Sequence, residues 1–140
     1  MMWKEKYRIG VDLIDNQHKE LFSRLSEFIK IVQNDVAWEE KLDKVKETLN
    51  FMQEYVIFHF NDEEEYQEKI NYPHMEEHKE AHAKFKEGIN DYVEIFQEEG
   101  FTEEKMQELS AKLMTWLIMH VGVMDQKIGE YVRNQGGMGE

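Results

Sequence analysis

The sequence predicts an all-α fold: an antiparallel up-down-up-down four-helix bundle with an N-terminal arm. Three observations carry this. Apolar residues recur at three- and four-residue spacing in four long segments. Short breaks separate them at Asn34-Asp35, Asn71-Tyr72-Pro73 and Gly100. No segment alternates with period two for long enough to compete as a strand. Short connections between long helices make consecutive helices antiparallel neighbours. The expected layout is one domain over 1–140, with an arm at 1–15, the bundle at about 16–133 and a frayed tail at 134–140.

Taken in order, Asp15 is the expected N-cap of the first helix, which runs to about Gln33. Its apolar face is Leu21, Phe22, Leu25, Phe28, Ile29 and Val32. The second helix starts near Trp38 and carries Leu42, Val45, Leu49, Met52, Val56, His59, Glu63, Tyr66 and Ile70 on one stripe. Pro73 suits the first position of the third helix, where its missing N–H costs nothing. That helix presents His78, His82, Phe85, Ile89, Tyr92 or Val93, and Phe96, and Gly100 ends it. Thr102 caps the fourth, whose stripe is Met106, Leu109, Leu113, Trp116, Leu117, His120, Met124, Ile128 and Tyr131.

Composition removes several function classes. The chain of 140 residues is 41% hydrophobic and 34% charged, a globular balance with enough length for a core. With no cysteine, it has no disulfide, thiolate zinc site, iron–sulfur cluster or thiol nucleophile. A net charge of −13 argues against nucleic acid and anionic membrane surfaces as partners. The same charge favours a monomer through self-repulsion. No apolar run approaches the roughly 20 residues that span a bilayer, and no secretory h-region is visible, so the expected location is cytoplasmic.

Six histidines occur, and five fall on the apolar stripes of all four helices. One inward histidine reads as an ordinary core side chain. Five in one core need partners, and metal is the one partner they can share. His59 and Glu63 are four apart, as are His78 and His82, so each pair projects from one helix face. Reflection through the second and third turns puts these two pairs and His120 at one depth. His18 falls on the right stripe, but reflection through the first turn lands several residues short of His59. His74 lies too near its turn to join them and reads as a surface residue. Asp125 lies five residues beyond His120, about 140° around an ideal helix, so periodicity does not pair them. Either the two side chains approach from opposite flanks, or Gly122 marks a distortion. The carboxylates Glu64, Glu65, Glu76 and Glu77 read as a solvated face.

The pattern His18, His59-x3-Glu63, His78-x3-His82 and His120-x4-Asp125 resembles the hemerythrins, in particular single-domain bacteriohemerythrins. The resemblance extends to Gly10-Val11-Asp12-Leu13-Ile14-Asp15-Asn16-Gln17-His18, Tyr72-Pro73-x4-His78 and Trp116-Leu117-x2-His120. It implies two iron ions, Fe2+ or Fe3+, with a bridging oxide or hydroxide, and dioxygen as the partner. It also implies that His78, His82 and His120 ligate one iron and His18 and His59 the other, with Glu63 and Asp125 bridging. With a shared solvent-derived oxygen, the first iron then has six ligands and the second five, leaving one open position for oxygen. Leu117, one turn before His120, matches a pocket position in the family; Trp116 and Phe22 are neighbouring candidates and equally readable as core. The implied function is reversible oxygen carriage, storage or delivery, not catalysis. An oxygen or redox sensor module and a di-iron peroxidase or nitric-oxide-handling protein are the alternatives.

Overall fold

The computed structural model describes residues 3–134, so the expected frayed tail lies, apart from Asn134, outside the described residues. The helices are α1 (Asp12–Gln33), α2 (Trp38–Lys69), α3 (Met75–Glu99), α4 (Glu103–Met119) and α5 (Asp125–Asn134). A π-helical turn, His120–Met124, joins α4 to α5, so these three form one long fourth rod. The helices are packed against each other as an all-α four-helix bundle: α1 packs on α2 and α4, and α2 packs on α3. Among the described residues, no helix is long and apolar enough to cross a membrane.

The core follows the expected stripes. Leu21, Leu25, Phe28, Val45, Met52, Val56, Met106, Leu109 and Leu113 are buried, each at 2% exposure or less. Full burial of a side chain of this size contributes roughly 1.5–3 kcal/mol. Two large apolar rings, Tyr66 and Phe85, are only half-buried. Gln67, not Tyr66, continues the buried face of α2 beyond Glu63.

The helix starts differ from expectation at two places. Asp15 does not cap α1, which begins at Asp12 behind Val11. Its buried carboxylate instead reaches back to the arm, accepting from the Ile9 N–H at 2.8 Å and the Gly10 N–H at 3.0 Å. Pro73 does not open α3. Asn71 takes a left-handed φ of 56°, and the Tyr72 N–H bonds the Gln67 carbonyl at 2.9 Å. The turn therefore runs on to His74, whose carbonyl accepts the first helical bond from His78 at 3.2 Å. Gly100 ends α3 with φ 81°, and the Thr102 hydroxyl accepts from the Lys105 N–H at 3.2 Å, both as expected.

The first connection explains the depth of His18. Asn34 and Ala37 are extended, so the chain climbs before α2 turns back. About 15 residues separate His18 from the end of α1, and about 21 separate Trp38 from His59, a difference of about 9 Å of helical rise. The extended linker takes up that stagger, and the His18 and His59 rings meet with centroids 4.9 Å apart.

Candidate metal centre

All seven residues expected to ligate metal converge in the core, none more than 2% exposed. His18 comes from α1, His59 and Glu63 from adjacent turns of α2, His78 and His82 from adjacent turns of α3. His120 opens the π turn, and Asp125 follows it. The π turn settles the spacing that periodicity left open. In it the Asp125 N–H bonds the His120 carbonyl, five residues back rather than four. Positions five apart then share a face, and His120 Nε2 lies 3.0 Å from Asp125 Oδ2.

The ligand-type atoms form two groups. His18, His59, Glu63, His120 and Asp125 each offer an atom within 4.8 Å of all the others, and so do Glu63, His78 and His82. Glu63 belongs to both, with Oε2 at 3.4 Å from His59 Nε2 and Oε1 at 3.2 Å from His82 Nε2. His120 falls with His18 and His59 in this grouping, not with His78 and His82. Its ring nonetheless stands between the groups, with centroids 5.2 Å from His82 and 5.9 Å from His59. His74 stays apart and exposed, 3.3 Å from Glu77.

The electrostatics are those of a packed cluster of opposite charges. Burial pulls the His18 pKa down, but the Asp125 and Glu63 carboxylates outweigh it and push it up to about 9. His18 Nε2 is 2.8 Å from Asp125 Oδ2, yet neither atom makes an aligned hydrogen bond. Burial lowers His59 with less compensation from Glu63. Burial alone would raise Glu63, but the His120 charge and the His18, His59 and His78 contacts hold it well below the usual carboxylate range.

A cation fits this arrangement on two grounds. Among the described residues, seven of the ten buried side-chain nitrogen and oxygen atoms without a partner belong to the cluster: both ring nitrogens of His18, His59 Nε2, His120 Nε2, Glu63 Oε2 and both Asp125 oxygens. Each unsatisfied buried polar atom costs about 1–3 kcal/mol. A positive centre placed among them would satisfy these atoms together. The donors themselves are imidazole nitrogen and carboxylate oxygen, a set suited to iron, zinc, copper or nickel.

Residues outside the expected set hold the histidines in place. Gln17 Oε1 accepts from His59 Nδ1 at 2.7 Å, while Gln17 Nε2 donates to Asp62 at 2.7 Å. Glu64 Oε2 accepts from His82 Nδ1 at 2.7 Å, so Glu64 is not part of a purely solvated face. Phe60 lies flat on His82, with centroids 3.8 Å apart. Gln17 and Phe60 sit beside His18 and His59 in the sequence; Glu64 gave no signal distinct from its acidic neighbours. His78 differs from the others: its Nδ1 faces Glu63 and Asp125 at 3.6 and 3.7 Å, and Gln67 Nε2 approaches the same nitrogen at 2.9 Å. Holding a cation through His78 requires Gln67 to turn its amide away or the imidazole to flip.

The three pocket candidates separate. Leu117 is fully buried one turn before His120. Phe22, one turn beyond His18, is buried under Tyr7 and Trp3, with centroids at 5.0 and 5.9 Å. Trp116 is half-buried and stacks on His120 at 5.0 Å and on Phe85 at 4.0 Å. It lines a groove of about 340 Å³ between α3 and α4, away from His18 and His59.

A helical bundle with buried imidazole and carboxylate donors contributed by every long helix defines a metal-binding bundle. The chain belongs to the hemerythrin family: the Hemerythrin HHE cation binding domain matches residues 9–132. It is similar to the bacteriohemerythrin of Clostridium acetobutylicum, 28% identical over 90% of this chain and 96% of the relative. The bacteriohemerythrin of Stenotrophomonas maltophilia is 29% identical over 95% of this chain and 82% of its own. That of Campylobacter jejuni is 29% identical over 94% and 95%.

Proposed function

We propose that this protein binds dioxygen reversibly, as a carrier, store or delivery protein, at two iron ions held by His18, His59, Glu63, His78, His82, His120 and Asp125. The observations that support this best are the seven buried imidazole and carboxylate atoms without a hydrogen-bond partner, all in the group of His18, His59, Glu63, His120 and Asp125, and the second group of Glu63, His78 and His82 that shares Glu63 with it. When bound, two ferrous ions, with an oxide or hydroxide as the expected solvent-derived ligand, would supply the electrons that dioxygen takes up and returns.

The chain's own residues do the rest. Glu63 belongs to both atom groups and Asp125 also faces His78 at 3.7 Å, so these two would be the carboxylates shared between the ions. As the family resemblance implies, His18 and His59 would hold one ion and His78, His82 and His120 the other, with the His120 ring standing between the two atom groups. With His120 on the His78–His82 side, as the resemblance implies, the His18–His59 side would be one donor short and would be the side open to oxygen. Gln17 and Glu64 fix the rings of His59 and His82 and the tautomer that leaves Nε2 free for metal. Leu117 and Phe22 keep water from the receiving side, and Trp116 holds His120 from the other.

Anaerobic loading of the metal-free protein with Fe(II), followed by air and then removal of oxygen, tests the proposal. A visible charge-transfer band should appear with oxygen and vanish with its removal over repeated cycles. Irreversible oxidation in the first cycle, or a preference for zinc over iron on metal analysis, overturns it.

A further inference from the structure

The π turn that places Asp125 is a rare conformation, found mostly as a single turn inserted in an α-helix. In an uninterrupted α register, five residues rotate Asp125 about 140° away from His120. Something must hold the turn, and the residues around it show what does.

Because the Asp125 N–H goes to the His120 carbonyl, the Val121 carbonyl loses its usual donor. The Gln126 side chain supplies one: Nε2 lies 3.2 Å from Val121 O and 2.8 Å from Tyr7 O. One amide thus ties the turn to the N-terminal arm. The arm presses against this rod twice more. At Gly122, inside the π turn, an added Cβ would meet the Tyr7 ring at 3.3 Å. At Gly129 it would meet the Ile9 carbonyl oxygen at 2.9 Å. The arm is in turn anchored to α1 through Asp15, which takes the Ile9 and Gly10 amides one turn before His18.

The geometry points to Gln126 and arm residues 7–10 as a positioning clasp that keeps the π register and so keeps Asp125 among the metal ligands. This rests on the two-metal reading above. The clasp joins the helix bearing His18 to the rod bearing His120 and Asp125, the pieces that must close on the shared carboxylate.

Two variants test it, with Co(II) as the probe. Gln126→Met removes the donor while keeping the side-chain length. Gly129→Ala pushes the arm's backbone away without touching the turn or any ligand, and helix propensity alone would favour the alanine. The clasp predicts that both variants stay helical but bind the second Co(II) about 10–100-fold more weakly, the usual effect of losing an outer partner of a metal ligand. Their ligand-field spectra change accordingly. Wild-type affinity and spectrum for both ions in either folded variant overturn the inference, as does unfolding of both variants. Should wild-type protein take fewer than two Co(II), the two-metal reading fails instead. Amide exchange across residues 120–126 of the metal-free protein then decides the clasp: it quickens in both variants if the clasp exists and is unchanged if it does not.

Discussion

His120 Nε2 and Asp125 Oδ2 stand 3.0 Å apart although five residues separate them, because the rod between them makes one π turn. Asp125 faces His18 at 2.8 Å and His78 at 3.7 Å as well, so its carboxylate touches histidines from three parts of the bundle. Asp125→Asn keeps the shape and removes the charge. It should lower metal content below two ions per chain, with loss at least matching the ~10–100-fold that outer partners cost. Elemental analysis after loading checks this; two ions retained at unchanged affinity would show that Asp125 is no ligand.

Glu64 gives His82 a charged outer partner at 2.7 Å, whereas His59 has the neutral amide of Gln17 at the same distance. A carboxylate behind an imidazole makes it a stronger donor and stabilises the more oxidised metal. Glu64→Gln should therefore raise the reduction potential of the proposed iron pair and weaken metal binding by about 10-fold or more. Gln17→Leu should weaken binding with a smaller change in potential. Potentiometry with chelator competition measures both, and an equal potential in Glu64→Gln and wild type removes the electronic role assigned to Glu64.

These two sites also show where the sequence is readable and where it is not. His59 with Glu63 and His78 with His82 follow from helix periodicity, which depends only on spacing along one chain segment. Gly100 and Thr102 are equally legible, because a left-handed C-cap and a hydroxyl N-cap are local chemistry. His18 needed the path of the extended Asn34–Ala37 linker, and Asp125 needed a π register, neither of which periodicity encodes. The resemblance to a family named both residues without supplying the cause. Glu64 was invisible for a different reason: among 30 acidic residues, nothing in its local sequence sets apart the carboxylate that leans on His82.

Leu117 is fully buried in the apolar core one turn before His120. Leu117→Ala should cost about 2–5 kcal/mol of stability through the cavity it leaves. As the proposed wall against water, its loss should also speed autoxidation of the oxygenated protein. Thermal melts read the first effect, and the decay of the visible band in air reads the second. Destabilisation without faster decay would make Leu117 a packing residue only.

Far from the metal cluster, the Tyr92 hydroxyl donates to Glu108 Oε1 at 2.6 Å and ties α3 to α4. The Tyr92 bond lowers the Glu108 pKa from 4.5 against a smaller opposing effect of burial, with Lys105 and Lys112 helping. Burial, and then Glu108, raises that of Tyr92 above 10. The signs are opposite. A depressed carboxyl stabilises the fold above its unfolded value and loses that contribution as pH falls through the folded value. A raised phenol stabilises it below about pH 10 and loses that as pH rises further. Tyr92→Phe should therefore melt below wild type at pH 7, with the gap narrowing as pH drops under about 4.5 and Glu108 takes up its proton. Melting curves of the two metal-free proteins from pH 3 to 8 test this. A gap that stays constant across that range would assign the whole effect to packing of the ring.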